Sequence, residues 1–237
     1  MRLSAPIHRL KRTARDHARA SAIPLHAALD QVAAGEGFAS WSLLASKHAD
    51  AASDPLSLYR SFAQGDLVLV AARPLQGKTM FALRLALSAL GEGKAAHFFS
   101  LDYTESDVAE RLDTLSDPNG VRLDVDCSDA ISADHIIARL FGAPRGSFVA
   151  VDYLQLLDQK RTNPPLQQQI ESLRDFARER GHIIAFVCQI DRRFDPDAAG
   201  IPGPADIRLP NPLDLALFSR AIFIHGGRVH EATGLPR

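Results

Sequence analysis

The stretch Leu67-Val68-Leu69-Val70-Ala71-Ala72-Arg73-Pro74-Leu75-Gln76-Gly77-Lys78-Thr79 runs from a continuous apolar segment into a Gly-Lys-Thr turn. An unbroken apolar run of this length predicts a strand buried on both faces. A helical pattern opens at Lys78 and runs to about Leu90, with Gly91 as its expected stop. Between strand and helix, Ala72, Arg73, Pro74, Leu75, Gln76, Gly77, Lys78 and Thr79 follow phosphate-loop spacing, with Ala72 where the first glycine normally stands. Such a loop needs backbone N–H groups converging on phosphate oxygens at a helix N-terminus. Gly77 permits close backbone approach, Lys78 reaches the β/γ-phosphates, and Thr79 offers its hydroxyl to Mg²⁺. These eight residues are the candidate nucleotide-binding set.

Outward from this turn the pattern alternates. Apolar runs recur at Ala95–Leu101, Ser147–Val151, His182–Val187 and Ala221–Ile224, with Val121–Val125 as a further candidate strand. Helical segments lie between them near Ser106–Leu115, Ala133–Leu140 and Leu166–Arg180. Strands separated by helices predict an α/β fold with a mainly parallel central sheet flanked by helices. Residues 1–50 read differently, as a small basic helical unit. Arg9, Lys11, Arg12, Arg15 and Arg19 open it, and Pro24 starts a second helix carrying Leu25, Leu29 and Val32. Gly35-Glu36-Gly37 breaks that helix, and Phe38, Trp41, Leu43 and Leu44 anchor a third. Residues 51–237 then form the α/β domain, opening with a short helix over 55–63.

Composition limits the remaining classes. In 237 residues, 46% are hydrophobic and 23% charged, which excludes disordered, collagen-like and coiled-coil chains. Lys+Arg 27 against Asp+Glu 28 gives a net charge of -1, so no global field draws the chain to nucleic acid. Cys127 and Cys188 have no paired spacing, which argues against a disulfide framework, a cysteine zinc site or a nucleophilic cysteine. His225 and His230 lie on neighbouring candidate strands without a supporting ligand pattern. No apolar run approaches the length of a membrane span. The expected chain is soluble and cytoplasmic, with no membrane partner.

Ligand sites in α/β folds lie at the carboxyl ends of strands. Asp152 ends the run Ser147-Phe148-Val149-Ala150-Val151, where an acid is costly to bury unpaired and Mg²⁺ or its bound water is a natural partner. Asp102 and Gln189 end two further runs. An acid there could orient an attacking water, and an amide could sense a γ-phosphate.

The order of these segments resembles the C-terminal ATPase domain of the DnaB-type replicative helicases, within the RecA-like P-loop superfamily. The resemblance rests on Gly65 to Pro74 leading into Gly77-Lys78-Thr79, and on Phe98-Phe99-Ser100-Leu101-Asp102. It continues through Val151-Asp152-Tyr153-Leu154-Gln155-Leu156, Gln189-Ile190-Asp191-Arg192 and, more weakly, Asp206-Ile207-Arg208. It covers roughly residues 56 to 226. It implies a RecA-like fold, ATP and Mg²⁺ as ligands, and an ATPase acting on single-stranded DNA in a hexamer-like ring. Lys78 and Thr79 would bind phosphate and Mg²⁺, Asp152 would hold the metal through water, and Gln189 would link the γ-phosphate to DNA-facing loops. Asp102 stands where the family carries a catalytic glutamate. Its carboxylate falls short by a methylene, and an ångström of misplacement can cost about a hundredfold in rate.

The segment Asp191–Pro212 holds five prolines and two glycines and reads as a long functional loop. Arg192, Arg193 and Arg208 are its candidate DNA contacts. Asp191, Asp195, Asp197 and Asp206 dilute their charge, and Phe194 is its one aromatic residue. Arg220 and Arg228 are the available substitutes for the arginine finger that the family lends to a neighbouring subunit. These departures leave a rival reading beside the ATPase and helicase one: a catalytically weak nucleotide-binding module that regulates or scaffolds a larger complex.

Overall fold

The computed structural model describes residues 4–5, 7–21, 23–44, 54–115, 122–157, 160, 163–195, 201–209 and 211–236. The chain divides into two compact units, Met1–Asp54 and Pro55–Arg237.

The first unit contains α1 (Ile7–Ala20) and α2 (Leu25–Gly35), with a further helical turn over residues 41–44. Pro24, with φ -58, stands one position before α2 and starts it from outside. Leu10 and Ala14 of α1 and Ala28 and Ala33 of α2 are buried, the spacing expected of two amphipathic helices packed together. The Trp41 amide donates to Asp30 Oδ1 at 2.8 Å, which caps the third turn.

The second unit begins with α3 (Pro55–Ser61), two residues shorter than its sequence pattern. Its sheet has seven strands: β1 (Leu67–Ala72), β2 (Ala96–Ser100), β3 (Asp124–Asp126), β4 (Phe148–Asp152), β5 (Ile183–Gln189), β6 (Arg220–His225) and β7 (Arg228–Thr233). They lie in the order β3-β2-β4-β5-β1-β6-β7. All neighbours are parallel except β6 and β7, which form an antiparallel hairpin. The candidate strand Val121–Val125 forms slightly later, as β3, and Val121 lies outside the described residues.

Helices α4 (Lys78–Gly91), α5 (Glu105–Asp113), α6 (Ala133–Leu140) and α7 (Leu166–Arg180) cover the sheet. Both faces of β1 are buried, which explains its unbroken apolar run. Leu67, Leu69 and Ala71 pack with α6 and α7, whereas Val68, Val70 and Ala72 pack with α4. Leu166, Ile170, Leu173 and Ala177 set the buried stripe of α7 at helical spacing. One expected boundary moves. Gly91 is helical, and the chain leaves α4 through Gly93 at φ +73, whose amide closes on the Leu90 carbonyl at 2.9 Å.

Candidate nucleotide site

The phosphate-loop sequence leaves β1 at Ala72 and enters α4 at Lys78. Ala72 is fully buried, and its carbonyl accepts from the Ile190 amide at 3.0 Å, so this residue anchors the loop to β5. Gly77 precedes the helix at φ 80, a conformation that L side chains rarely adopt. Nothing lies within 4 Å of the space its missing Cβ would occupy, so the turn is also open above the helix N-terminus. Leu75, at φ 62, projects wholly into solvent.

The sheet order brings the distant acids to this turn. β5 lies between β1 and β4, so Gln189 sits between the loop and Asp152. The Thr79 hydroxyl donates to Asp152 Oδ2 at 2.7 Å across that interval. Hydrogen bonds to a charged group contribute about 1.5–3 kcal/mol. Asp152 is 1% exposed, and its second oxygen, Oδ1, is buried with no partner among the described residues. Burial raises its pKa to about 6, against the opposing pull of Thr79 and Lys78. A buried carboxylate with an unpartnered oxygen beside a threonine hydroxyl fits a hydrated divalent cation.

A cleft of about 220 Å³ is lined by Pro74, Leu75, Lys78, Asp102, Tyr103, Tyr153 and Gln189. It gathers the three candidate catalytic residues, Lys78 from the phosphate-loop sequence and Asp102 and Gln189 from the strand-end reading. Asp102 is exposed on a turn held from beneath. The buried Ser100 hydroxyl accepts from the Asp102 and Tyr103 amides at 3.3 and 3.0 Å, and the Leu101 amide donates to the Asp152 carbonyl at 2.8 Å. Beside it, the Arg111 guanidinium lies 4.0 Å over the Tyr103 ring and contributes to the field that favours ionised Asp152.

The long loop returns to the site. Ile190 bridges Ile207, the Asp191 amide donates to the Asp206 carbonyl at 2.7 Å, and the Arg208 amide donates to the Gln189 carbonyl at 2.8 Å. Gln155 locks this neck by donating to the Arg208 carbonyl at 2.7 Å. The Arg208 guanidinium approaches Gln189 Oε1 at 3.4 Å, while Arg192 and Arg193 are exposed just beyond. Two acids of the loop serve its backbone. Asp191 accepts from the Arg193 amide at 2.9 Å and Asp206 from the Gly203 amide at 2.8 Å. Asp197 lies outside the described residues. Phe194 is buried and edge-on to His225 at 5.9 Å, which removes it as a base-stacking ring.

Arg220 is engaged within its own chain. It sits at the opposite end of the sheet, paired with Glu231 at 2.7 Å and Asp66 at 3.5 Å. Arg228 is exposed beside the β6–β7 turn. The two cysteines are protonated thiols: burial pushes Cys127 up to about 11 and Cys188 up to about 12. No cluster of three or more metal-ligating His, Cys, Asp or Glu side chains occurs among the described residues. No described helix is long and apolar enough to cross a membrane. Sequence reasoning gave no role to Ser100 and Gln155. Ser100 reads as one more member of a strand, and the work of Gln155 depends on a loop that returns 53 positions later.

With this geometry in place, the relatives are informative. Residues 56–124 match the family model of the DnaB-like helicase C-terminal domain. The chain is homologous to the DnaB helicases. It is 27% identical to the replicative DNA helicase DnaB of Helicobacter pylori over 208 aligned positions, covering 72% of this chain and 43% of that protein. It is 44% identical over 50 residues to a probable plasmid replicative DNA helicase of Chlamydia psittaci, covering 21% of this chain and 11% of that one. The chain therefore spans less than half the length of these relatives. Two solved structures share its fold. One is a DnaB-like replicative helicase described with its interactions with primase (TM-score 0.56, 18% identity, 68% of this chain and 47% of that one). The other is a solved ATPase domain (TM-score 0.52, 20% identity, 73% of this chain and 75% of that one). The mainly parallel sheet of this chain thus has a RecA-like fold.

Proposed function

We propose that this chain is a Mg²⁺-dependent ATPase of a DnaB-like machine acting on DNA. The observation that carries this reading is the cleft shared by Lys78, Asp102 and Gln189, flanked by the Thr79–Asp152 pair. The amides of the Gly77 turn and the Lys78 ammonium bind the phosphates. Thr79 and Asp152, the latter through water, would hold Mg²⁺, which would offset charge on the phosphate oxygens. Asp102 orients the attacking water and takes its proton as the water oxygen bonds to the γ-phosphorus and the bond to the leaving ADP oxygen breaks. Gln189 reports the γ-phosphate to the loop neck through Arg208, and Arg192, Arg193 and Arg208 face single-stranded DNA. Identical subunits in a hexamer-like ring would complete one another's sites.

The test is steady-state ATP hydrolysis with and without single-stranded DNA, alongside Lys78→Ala, with nucleotide binding measured in parallel. DNA-stimulated turnover that Lys78→Ala abolishes supports a motor. The exposed, shorter Asp102 favours a second reading, a nucleotide-gated scaffold, which predicts tight binding with negligible turnover in both conditions. Absence of nucleotide binding sinks both.

A further inference from the structure

The charge of this chain is unevenly placed. The first 54 residues carry 7 Lys/Arg and 5 Asp/Glu, whereas the remaining 183 carry 20 and 23. Helix α1 concentrates the excess, with Arg9, Lys11, Arg12, Arg15 and Arg19 against one acid, Asp16. At 100° per residue Arg12, Arg15 and Arg19 fall opposite the buried Leu10 and Ala14, with Arg9 and Lys11 flanking them. All five are exposed, and none forms an ion pair among the described residues. Two other acids of this unit are occupied elsewhere. Asp30 accepts the Trp41 amide, and Glu36 accepts both the amide and the hydroxyl of Ser4.

We infer that this face of α1 is a docking surface for the phosphate backbone of a nucleic acid, separate from the loop of Arg192, Arg193 and Arg208. Chemistry selects this partner. Four of the five cations are arginines, whose planar guanidinium matches phosphate bidentately. At a rise of 1.5 Å per residue the row from Arg9 to Arg19 extends about 15 Å. That length faces about four phosphates of one duplex strand at 3.4 Å each. Between these cations the face presents no large apolar side chain, so it lacks the anchor on which protein hot spots are built. The apolar stripe of α1 packs against α2, so it cannot enter a lipid interface. Binding through this face is independent of sequence, of nucleotide and of Lys78.

The experiment uses the full chain and fluorescein-labelled 20-nucleotide DNA, single-stranded in one arm and duplex in the other, titrated from low to moderate salt. Arg12→Ala/Arg15→Ala/Arg19→Ala removes three cations from an exposed face, and circular dichroism checks that the helices persist. The expected result is at least a tenfold loss of affinity at low salt. The slope of log K against log salt should shrink by about 2 for single strands or about 3 for duplex. The charge-preserving Arg→Lys triple should keep the wild-type slope, as should Lys78→Ala. The Arg192→Ala/Arg193→Ala/Arg208→Ala variant should retain the α1-dependent part, which separates this surface from the loop proposed above. Unchanged affinity and slope in the α1 alanine triple would overturn the inference. So would polyglutamate or anionic vesicles competing as well as DNA does.

Discussion

The Gly226 amide donates to the Gln76 side-chain oxygen at 3.1 Å, joining the turn of the β6–β7 hairpin to the phosphate-loop sequence 150 positions earlier. His225, the preceding residue, meets Phe194 of the long loop. The hairpin turn thus touches both the phosphate-loop sequence and the long loop.

Gln76→Ala removes that bond while leaving Gly77 and Lys78 in place. A single neutral hydrogen bond contributes about 0.5–1.5 kcal/mol. Hydrogen exchange at the Gly226 amide should therefore accelerate by about three- to tenfold, with global stability nearly unchanged. Equal exchange rates in the two proteins would show that the contact does not restrain the hairpin.

Asp102→Glu should restore the reach that the cleft lacks. The carboxylate advances by one methylene from a backbone still seated on Ser100. Phosphate-release assays should show turnover raised by about ten- to a hundredfold, and Asp102→Asn should lower it. A glutamate variant slower than the wild type would mean that Asp102 does not position the water.

Asp152 should make the protein's stability fall as pH rises through the acid range. Its folded pKa of about 6 lies above the ordinary carboxylate value of 3.8, chiefly because it is buried. Between those values the folded chain binds more protons than the unfolded one, so folding is favoured below them and disfavoured above. Without Mg²⁺, the stability of Asp152→Asn relative to wild type should improve by on the order of 1–3 kcal/mol from pH 4 to pH 7. Urea unfolding at both pH values measures it. A relative stability that stays constant or worsens would contradict the buried, under-partnered carboxylate.

His182 acts in the opposite direction. It is fully buried, and neither ring nitrogen has a partner among the described residues. Burial and the nearby Arg180 lower its pKa from 6.5 to about 4. Between those values the unfolded chain binds more protons, so stability present above pH 6.5 is lost as pH falls toward 4. His182→Leu should remove this component, narrowing the loss between pH 7 and pH 5 by on the order of 1 kcal/mol. Parallel pH profiles for the two proteins would exclude His182 as a source of acid sensitivity.

Asp152 and Gln189 are the last residues of β4 and β5, as expected, and Asp102 lies two residues past the end of β2, because each follows an apolar run whose burial dictates where the strand must stop. The helices over Ala133–Leu140 and Leu166–Arg180 form at their predicted boundaries, since Ser132 caps the first and Gly181, at φ 70, closes the second. Gly91 misleads because a glycine near a helix end is a stop only where a left-handed residue is needed, and Gly93 meets that need. Arg220 opens β6, and only the sheet shows it held by Glu231 and Asp66 at the end away from the phosphate-loop turn.

The sequence alone determined the alternation of strands and helices, the turn at Gly77 and the chemical types waiting at the strand ends. Those features depend on apolar periodicity and on spacing within a few residues. Tertiary structure alone decided that β5 enters between β1 and β4. It also decided that Thr79 meets Asp152 across 73 positions, and that Gln155 pins a loop by reaching Arg208. Such contacts follow from which strands pair, and pairing is settled by burying both faces of the whole sheet at once, which no local pattern encodes.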